Sequence, residues 1–290
     1  MQEKHIAVTE RIVAELERGC APWVRPWKGS SLPRNAATRR SYSGVNVLWL
    51  WTMQAAAAYP HADWLSFQQA RALGGCVRKG ERGTPIFFYK MLERKDATAD
   101  DDVRKIPLLR SYTVFNIAQC DGIERAEETL LEPAERIAAA DAFIAKIGAV
   151  VRHGGSSAYY SPSRDEIVLP PFEQFEAPEH YYAVACHELG HLSGAKHRLA
   201  REFGKRFGDA AYAAEELVAE LTSAYLCAEL GIPGKLRHPE YLASWAQVLR
   251  ADARALFTAG AKASQAAEYL ARLGGLRPDE TAEEEAAEAA

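Results

Sequence analysis

Apolar residues recur at helical spacing near the start of the chain. Ile6, Ile12, Val13 and Leu16 line one side of residues 4–18, and Gly19 ends the run. The following stretch, APWVRPWKGSSLPRNAATRRSYSG, carries too many Pro, Gly and Ser breakers for regular structure. Helices are predicted over Val45–Tyr59, stopped by Pro60, and over Phe67–Leu73, closed by Gly74 and Gly75. The run CVRKGERGTPIFFYKMLER reads as two β stretches around a Lys79–Gly83 turn, and Ser111–Gln119 reads as a further strand. Between these strands lies a charged loop, residues 95–105, whose DATADDD is too polar to pack and reads as a mobile tip.

An acidic stretch ending in Pro133 marks a boundary, after which the pattern becomes mainly helical. Ile137, Ile144 and Ile147 define a helix from Ala134 to Gly148, and SSAYYSPSRDEIVLPP reads as two short strands around Ser161–Asp165. A helix opened by Pro178 and stopped at Gly194 follows. Next come a long helix over Asp209–Leu230, closed by Gly231 and Pro233, and two more within residues 238–273. The acidic tail, residues 277–290, is expected to be disordered. The predicted fold class is therefore α+β: a small mixed α+β domain over residues 1–125, then a mainly helical domain over residues 130–275.

Composition narrows the classes. With 48% hydrophobic and 26% charged residues, the 290-residue chain is ordinary for a soluble globular protein. No apolar run reaches membrane-spanning length, so no membrane partner is expected. The amphipathic, acid-bearing N-terminus fits neither a signal nor a transit peptide. Five scattered cysteines without a CxxC pair fit a reducing cytosol and argue against a disulfide framework or a thiolate zinc site. A cytoplasmic protein is the expectation.

The net charge of −4 hides an asymmetry. Residues 20–90 hold ten basic side chains against Asp63 and Glu81, a net +8, so the rest of the chain sums to −12. The same segment holds five of the six tryptophans. Phosphates require Lys or Arg and unstacked bases require flat rings, so this composition fits a single-stranded nucleic-acid surface as well as a small tryptophan-cored domain. Candidate phosphate contacts are Arg39, Arg40, Arg78, Lys79 and Arg82; candidate stacking groups are Trp27, Tyr42 and Trp49.

The most specific chemistry is His187-Glu188-Leu189-Gly190-His191, an HExxH motif on a predicted helix. Positions i and i+4 share one helix face, so both imidazoles can address one Zn²⁺ while Glu188 acts as general base. The third ligand has two sources. HELGHLSGAKH fits HExxHxxGxxH, which would add His197, but that pattern needs a downstream Met-turn. Met1, Met53 and Met91 all precede the motif. The alternative lies on the next long helix, where Glu216 and Glu220 stand one turn apart among apolar neighbours. Glu216 is the favoured ligand, the gluzincin arrangement, with Glu220, Glu215 and His197 as rivals. Glu220 is also suited to accept the N–H of a metal-bound histidine. Tyr212 or Tyr225 could donate a hydrogen bond to a developing oxyanion.

The pieces PWVRPW, YSGVNVLWL, VRKGERGTPIFFY and YTVFNIAQ, followed by HELGHLSG with Arg198-Leu199 and by YAAEELVAELTSAYL, cover most of residues 5–235. Together they resemble the ArdC-type antirestriction proteins, related to the N-terminal part of plasmid TraC primases. The resemblance implies a cytoplasmic protein encoded by a plasmid or mobile element. It implies an N-terminal domain that binds single-stranded DNA without sequence preference and a zincin-like metallopeptidase domain. It also implies protection of incoming DNA from restriction during conjugation. The HExxH motif adds the expectation of one divalent metal, zinc, and an active peptidase would take a protein substrate linked to host restriction. Two other readings stay open: a DNA-binding protector whose metal site is structural or vestigial, and a cytosolic zinc protease with an accessory domain that does not bind DNA.

Overall fold

The computed structural model describes residues 2–24, 31–95, 103–124, 131–202, 211–233 and 241–277. The acidic tail from residue 278 and the DATADDD segment at 96–102 lie outside them. The chain is α+β and divides into two compact units, residues 33–127 and residues 1–32 with 128–290. In this division residues 1–32 group with the C-terminal unit, whereas a domain over residues 1–125 would keep them with residues 33–127. Helix α1 (Gln2–Glu17) buries Val8, Ile12, Val13 and Leu16 within the unit formed by the C-terminal residues. Thr9 Oγ1 donates to the Ala253 carbonyl at 2.9 Å, and Arg250 reaches Glu17 at 2.6 Å. No local pattern announces a partner more than 230 residues away.

In the unit of residues 33–127, helix α2 (Val45–Ala56) lies against a four-stranded sheet of order β1-β2-β5-β4. Its strands are β1 (Arg34–Asn35), β2 (Asp63–Leu65), β4 (Thr84–Lys95) and β5 (Val103–Asn116). Strands β4 and β5 are one long antiparallel hairpin in register from Thr84↔Val114 to Lys95↔Val103, so regular structure reaches into both ends of the expected 95–105 loop. The two β stretches around Lys79–Gly83 do not pair with each other. The first, β3 (Cys76–Val77), pairs with β6 (Cys120–Asp121). Helix α3 (Phe67–Ala72) starts at a reciprocal cap, in which Ser66 and Gln69 each bond the other's backbone N–H. The core gathers Leu50, Trp64, Ile86 and Val114. Along edge strand β4, the Asn46 amide takes the place of a neighbouring strand: it donates to the Phe87 carbonyl and accepts from the Phe87 N–H, both at 2.8 Å.

The second unit carries helix α4 (Pro133–Ile147) and a three-stranded sheet of order β7-β9-β8. In it β7 (Val150–His153) is parallel, and β8 (Tyr159–Ser161) antiparallel, to β9 (Glu166–Leu169). The HExxH helix α5 (Pro178–Ser193) packs on α6 (Ala211–Leu230), which also packs on α8 (Ala255–Leu273); α7 (Leu242–Ala251) lies between them in sequence. The motif's own glycine sets the α5–α6 spacing. A Cβ on Gly190 would stand 3.0 Å from Ala219 Cα and 3.2 Å from its carbonyl oxygen, so any larger residue would press the second helix back by a few tenths of an ångström. That approach brings the carboxylates of α6 beside the imidazoles of α5. Among the described residues no helix is long and apolar enough to cross a membrane.

Candidate metal centre and nucleic-acid face

His187 and Glu188 are buried, and His191 is partly open to a cleft of about 570 Å³. The two Nε2 atoms face each other at 3.2 Å. Glu216, 6% exposed, lies across from them, with one carboxylate oxygen 3.5 Å from His187 Nε2 and the other 3.5 Å from His191 Nε2. Ligand atoms set tetrahedrally at zinc bond lengths stand roughly 3.3–3.4 Å apart, so these separations are those of a metal-binding triangle. The far sides of both rings meet carboxylates: His187 Nδ1 is 3.3 Å from Glu220, and His191 Nδ1 is 3.2 Å from Glu215. If each Nδ1 carries the proton, both Nε2 lone pairs turn inward beside a carboxylate, a donor set suited to a divalent cation. Among the described residues, His187, His191 and Glu216 are the group whose ligand atoms converge in this way.

The other candidates occupy distinct places. His197 is exposed and its Nε2 lies 3.2 Å from Asp165, which Arg198 also grips with 2.7 and 2.8 Å bonds. The Arg198 hydrogen bonds hold the Asp165 carboxyl well below the usual carboxylate range against the opposing effect of burial. His197 is thus engaged at the β8–β9 turn, apart from the converging triangle. Tyr212 lines the cleft, where its hydroxyl meets that of Tyr241. That hydrogen bond, then burial and the nearby Glu216 charge, raises its pKa. Tyr225 is 2% exposed, and burial pushes its phenol up; it is a core residue.

Nothing in the local sequence marks Arg201, yet it organises one side of the site. It is almost fully buried and donates to Glu215 at 2.8 Å, to the Ser193 hydroxyl at 3.0 Å and to the Gly190 carbonyl at 2.7 Å. Burial would raise the Glu215 carboxyl, but the bonds from Arg201 and His191 outweigh it and hold the group ionised below its usual range. Gly194 makes room for this arginine, since a Cβ there would fall 2.7 Å from the guanidinium. Arg201→Met is expected to weaken metal affinity by about 10–100-fold through loss of the Glu215 contact to His191. Competition with a coloured chelator measures this, and unchanged affinity in the folded variant would remove Arg201 from the site.

Residues 2–115 match the N-terminal domain of anti-restriction factor ArdC, and residues 138–262 match the zincin-like metallopeptidase family. The crystal structure of antirestriction ArdC from plasmid R388, in its metal-free form, superposes with a TM-score of 0.79 at 37% identity, covering 95% of this chain and 99% of that one. The chain belongs to the ArdC family of antirestriction proteins. The Mn(II)-bound structure of the R388 protein gives a TM-score of 0.75 at 36% identity, over 93% of this chain and 97% of that one. An uncharacterized Sinorhizobium fredii protein, y4eC, is 46% identical over 91% of this chain and 90% of its own length. The Escherichia coli DNA primase TraC is 39% identical over 92% of this chain but only 27% of the primase.

In this ArdC-type chain the tryptophans mislead. Trp23, Trp51 and Trp64 are at most 1% exposed and Trp49 is 9% exposed; Trp23 packs on Trp245 with ring centroids 5.7 Å apart. Trp49, put forward as a stacking group, is therefore a core ring, and Tyr42 is half-buried against the Leu50–Trp64 cluster. Trp27 lies outside the described residues. Truncating a buried tryptophan costs about 3–5 kcal/mol of stability, so its loss reads on folding and not on affinity. Among the candidate cations, Arg40, Lys79 and Arg82 are exposed, whereas Arg39 pairs with Asp63 and Arg78 with Glu81 and Asp121.

Proposed function

We propose that this chain is a cytoplasmic, two-activity antirestriction protein. Residues 33–127 hold single-stranded DNA without sequence preference, and the unit carrying α5 and α6 is a zinc-dependent peptidase acting on a protein linked to host restriction. The observation that carries the peptidase half is the convergence of His187, His191 and Glu216 beside Glu188 in one cleft. A structural metal site has no use for a general base at the edge of a cleft. The R388 relative has a Mn(II)-bound structure, which supports a divalent ion; two imidazoles and a carboxylate are a set that favours zinc.

When bound, the ion supplies Lewis-acid polarisation of the scissile carbonyl and acidifies water. Glu188 accepts the proton of the attacking water and returns it to the departing amine. Glu215, hydrogen-bonded to His191 Nδ1, holds that imidazole in the tautomer that presents Nε2, and Glu220, 3.3 Å from His187 Nδ1, is placed to favour the same tautomer once the ring adjusts to the ion. Tyr212 lines the cleft, and in this reading its hydroxyl is the donor to a developing oxyanion. Strand β8, whose Tyr159 and Tyr160 line the cleft, is the edge of its sheet, so an extended peptide can add to it through main-chain hydrogen bonds.

The DNA half is tested by titrating labelled oligonucleotides at several salt concentrations. The chain is expected to bind single strands more tightly than duplex of the same sequence, because duplex bases are already stacked. The slope of log affinity against log salt should be about −0.7 per phosphate contacted. Equal affinity for both forms, or no binding at low salt, would leave a metallopeptidase with an accessory domain of another kind.

A further inference from the structure

The β4–β5 hairpin changes character along a single face. Directly opposed residues of an antiparallel pair share a face, so Thr84, Ile86 and Phe88 lie on one side with Val114, Tyr112 and Arg110. At the inner end Ile86 and Val114 are buried in the Leu50–Trp64 cluster. Further out on the same face stand Phe88, 57% exposed, and Tyr112, 48% exposed. Their ring centroids are 5.7 Å apart and the planes are nearly perpendicular. Arg110, the direct partner of Phe88, is exposed, and no acidic side chain among the described residues pairs with it.

Single exposed apolar side chains are normal on protein surfaces, but this pair differs in two respects. The two rings touch, and they lie beside a cation on the same face. Adjacent flat rings beside a guanidinium match successive bases and the phosphate that links them. The buried tryptophans cannot serve this purpose, and Arg39 and Arg78 already face carboxylates.

We propose that Phe88, Tyr112 and Arg110 form the base-stacking and phosphate-binding platform for single-stranded nucleic acid. The assignment rests on the DNA-binding reading above and locates it. The experiment titrates a fluorescent oligothymidylate with the full chain at several salt concentrations, comparing wild type, Phe88→Leu/Tyr112→Leu and Arg110→Ala. The leucines keep an apolar covering and remove only the flat rings, and both positions are exposed, so the thermal midpoint should stay near that of wild type. The double variant is expected to bind at least about tenfold more weakly with an unchanged salt slope. Arg110→Ala should reduce the magnitude of that slope by about 0.7. Phe88→Trp/Tyr112→Trp should restore binding. If wild type binds and the double leucine variant binds equally well, the platform assignment falls while the DNA reading stands. A change only in self-association would make the face a contact between copies of the chain and would also overturn the assignment. If wild type itself does not bind, both fall.

Discussion

Glu188→Ala is expected to keep the metal and to lower peptide hydrolysis by about 10²–10⁴-fold, the usual contribution of a general base. The residue is 2% exposed and lines the cleft beside His187 and His191, yet the converging ligand triangle does not include it. Removing its carboxylate therefore leaves the three donor atoms in place. DNA affinity should also be unchanged, because the exposed cations and rings belong to residues 33–127 while Glu188 belongs to the other compact unit. The measurement pairs metal content by atomic absorption with turnover of a fluorescence-quenched peptide library. Loss of metal from the folded variant would make Glu188 a ligand, and undiminished turnover would remove it from proton transfer.

Glu216→Ala should have the largest effect on the metal itself. Two imidazoles alone bind a divalent cation poorly, so affinity is expected to fall by more than the roughly 10–100-fold typical of residues that only support a ligand. Thermal unfolding separates this from misfolding. A ligand that binds only the native state stabilises it by RT ln(1 + [L]/Kd), so wild type should melt higher with added zinc than with chelator. The variant should lose that increment. Its midpoint in chelator should stay close to that of wild type in chelator, so that the lost increment reads on the metal and not on folding. His197→Ala should leave the zinc-dependent increment intact, since that ring is engaged with Asp165. The opposite pattern, with His197→Ala losing the increment and Glu216→Ala keeping it, would make His197 the third donor.

The sequence reveals whatever depends on local spacing. The i, i+4 histidines announce a helix face, the absence of a later methionine turns attention from His197 to α6, and Glu216 and Glu220 share a face at the same interval. The α+β class and most of the helices follow from periodicity, Pro and Gly. Features made by tertiary contact stay hidden. Strands of two to four residues such as β1, β2, β6 and β7 are too short to show alternation. Arg201 sits in a polar loop, and only the folded chain aims it at Glu215. Composition alone cannot separate a core tryptophan from a stacking one, because both need the same ring; burial decides. For the same reason Phe88 and Tyr112, unremarkable in a β-like run, become visible only once β4 and β5 are paired.

The proposed site places one divalent ion between α5 and α6 on His187, His191 and Glu216. Anomalous diffraction at the zinc absorption edge, from crystals of the full chain grown with zinc, tests it most directly. One strong peak is expected in the cleft, with Nε2 of both histidines and a Glu216 carboxylate oxygen at about 2.0–2.2 Å. A peak ligated by His197, or no peak between the two helices, would contradict it.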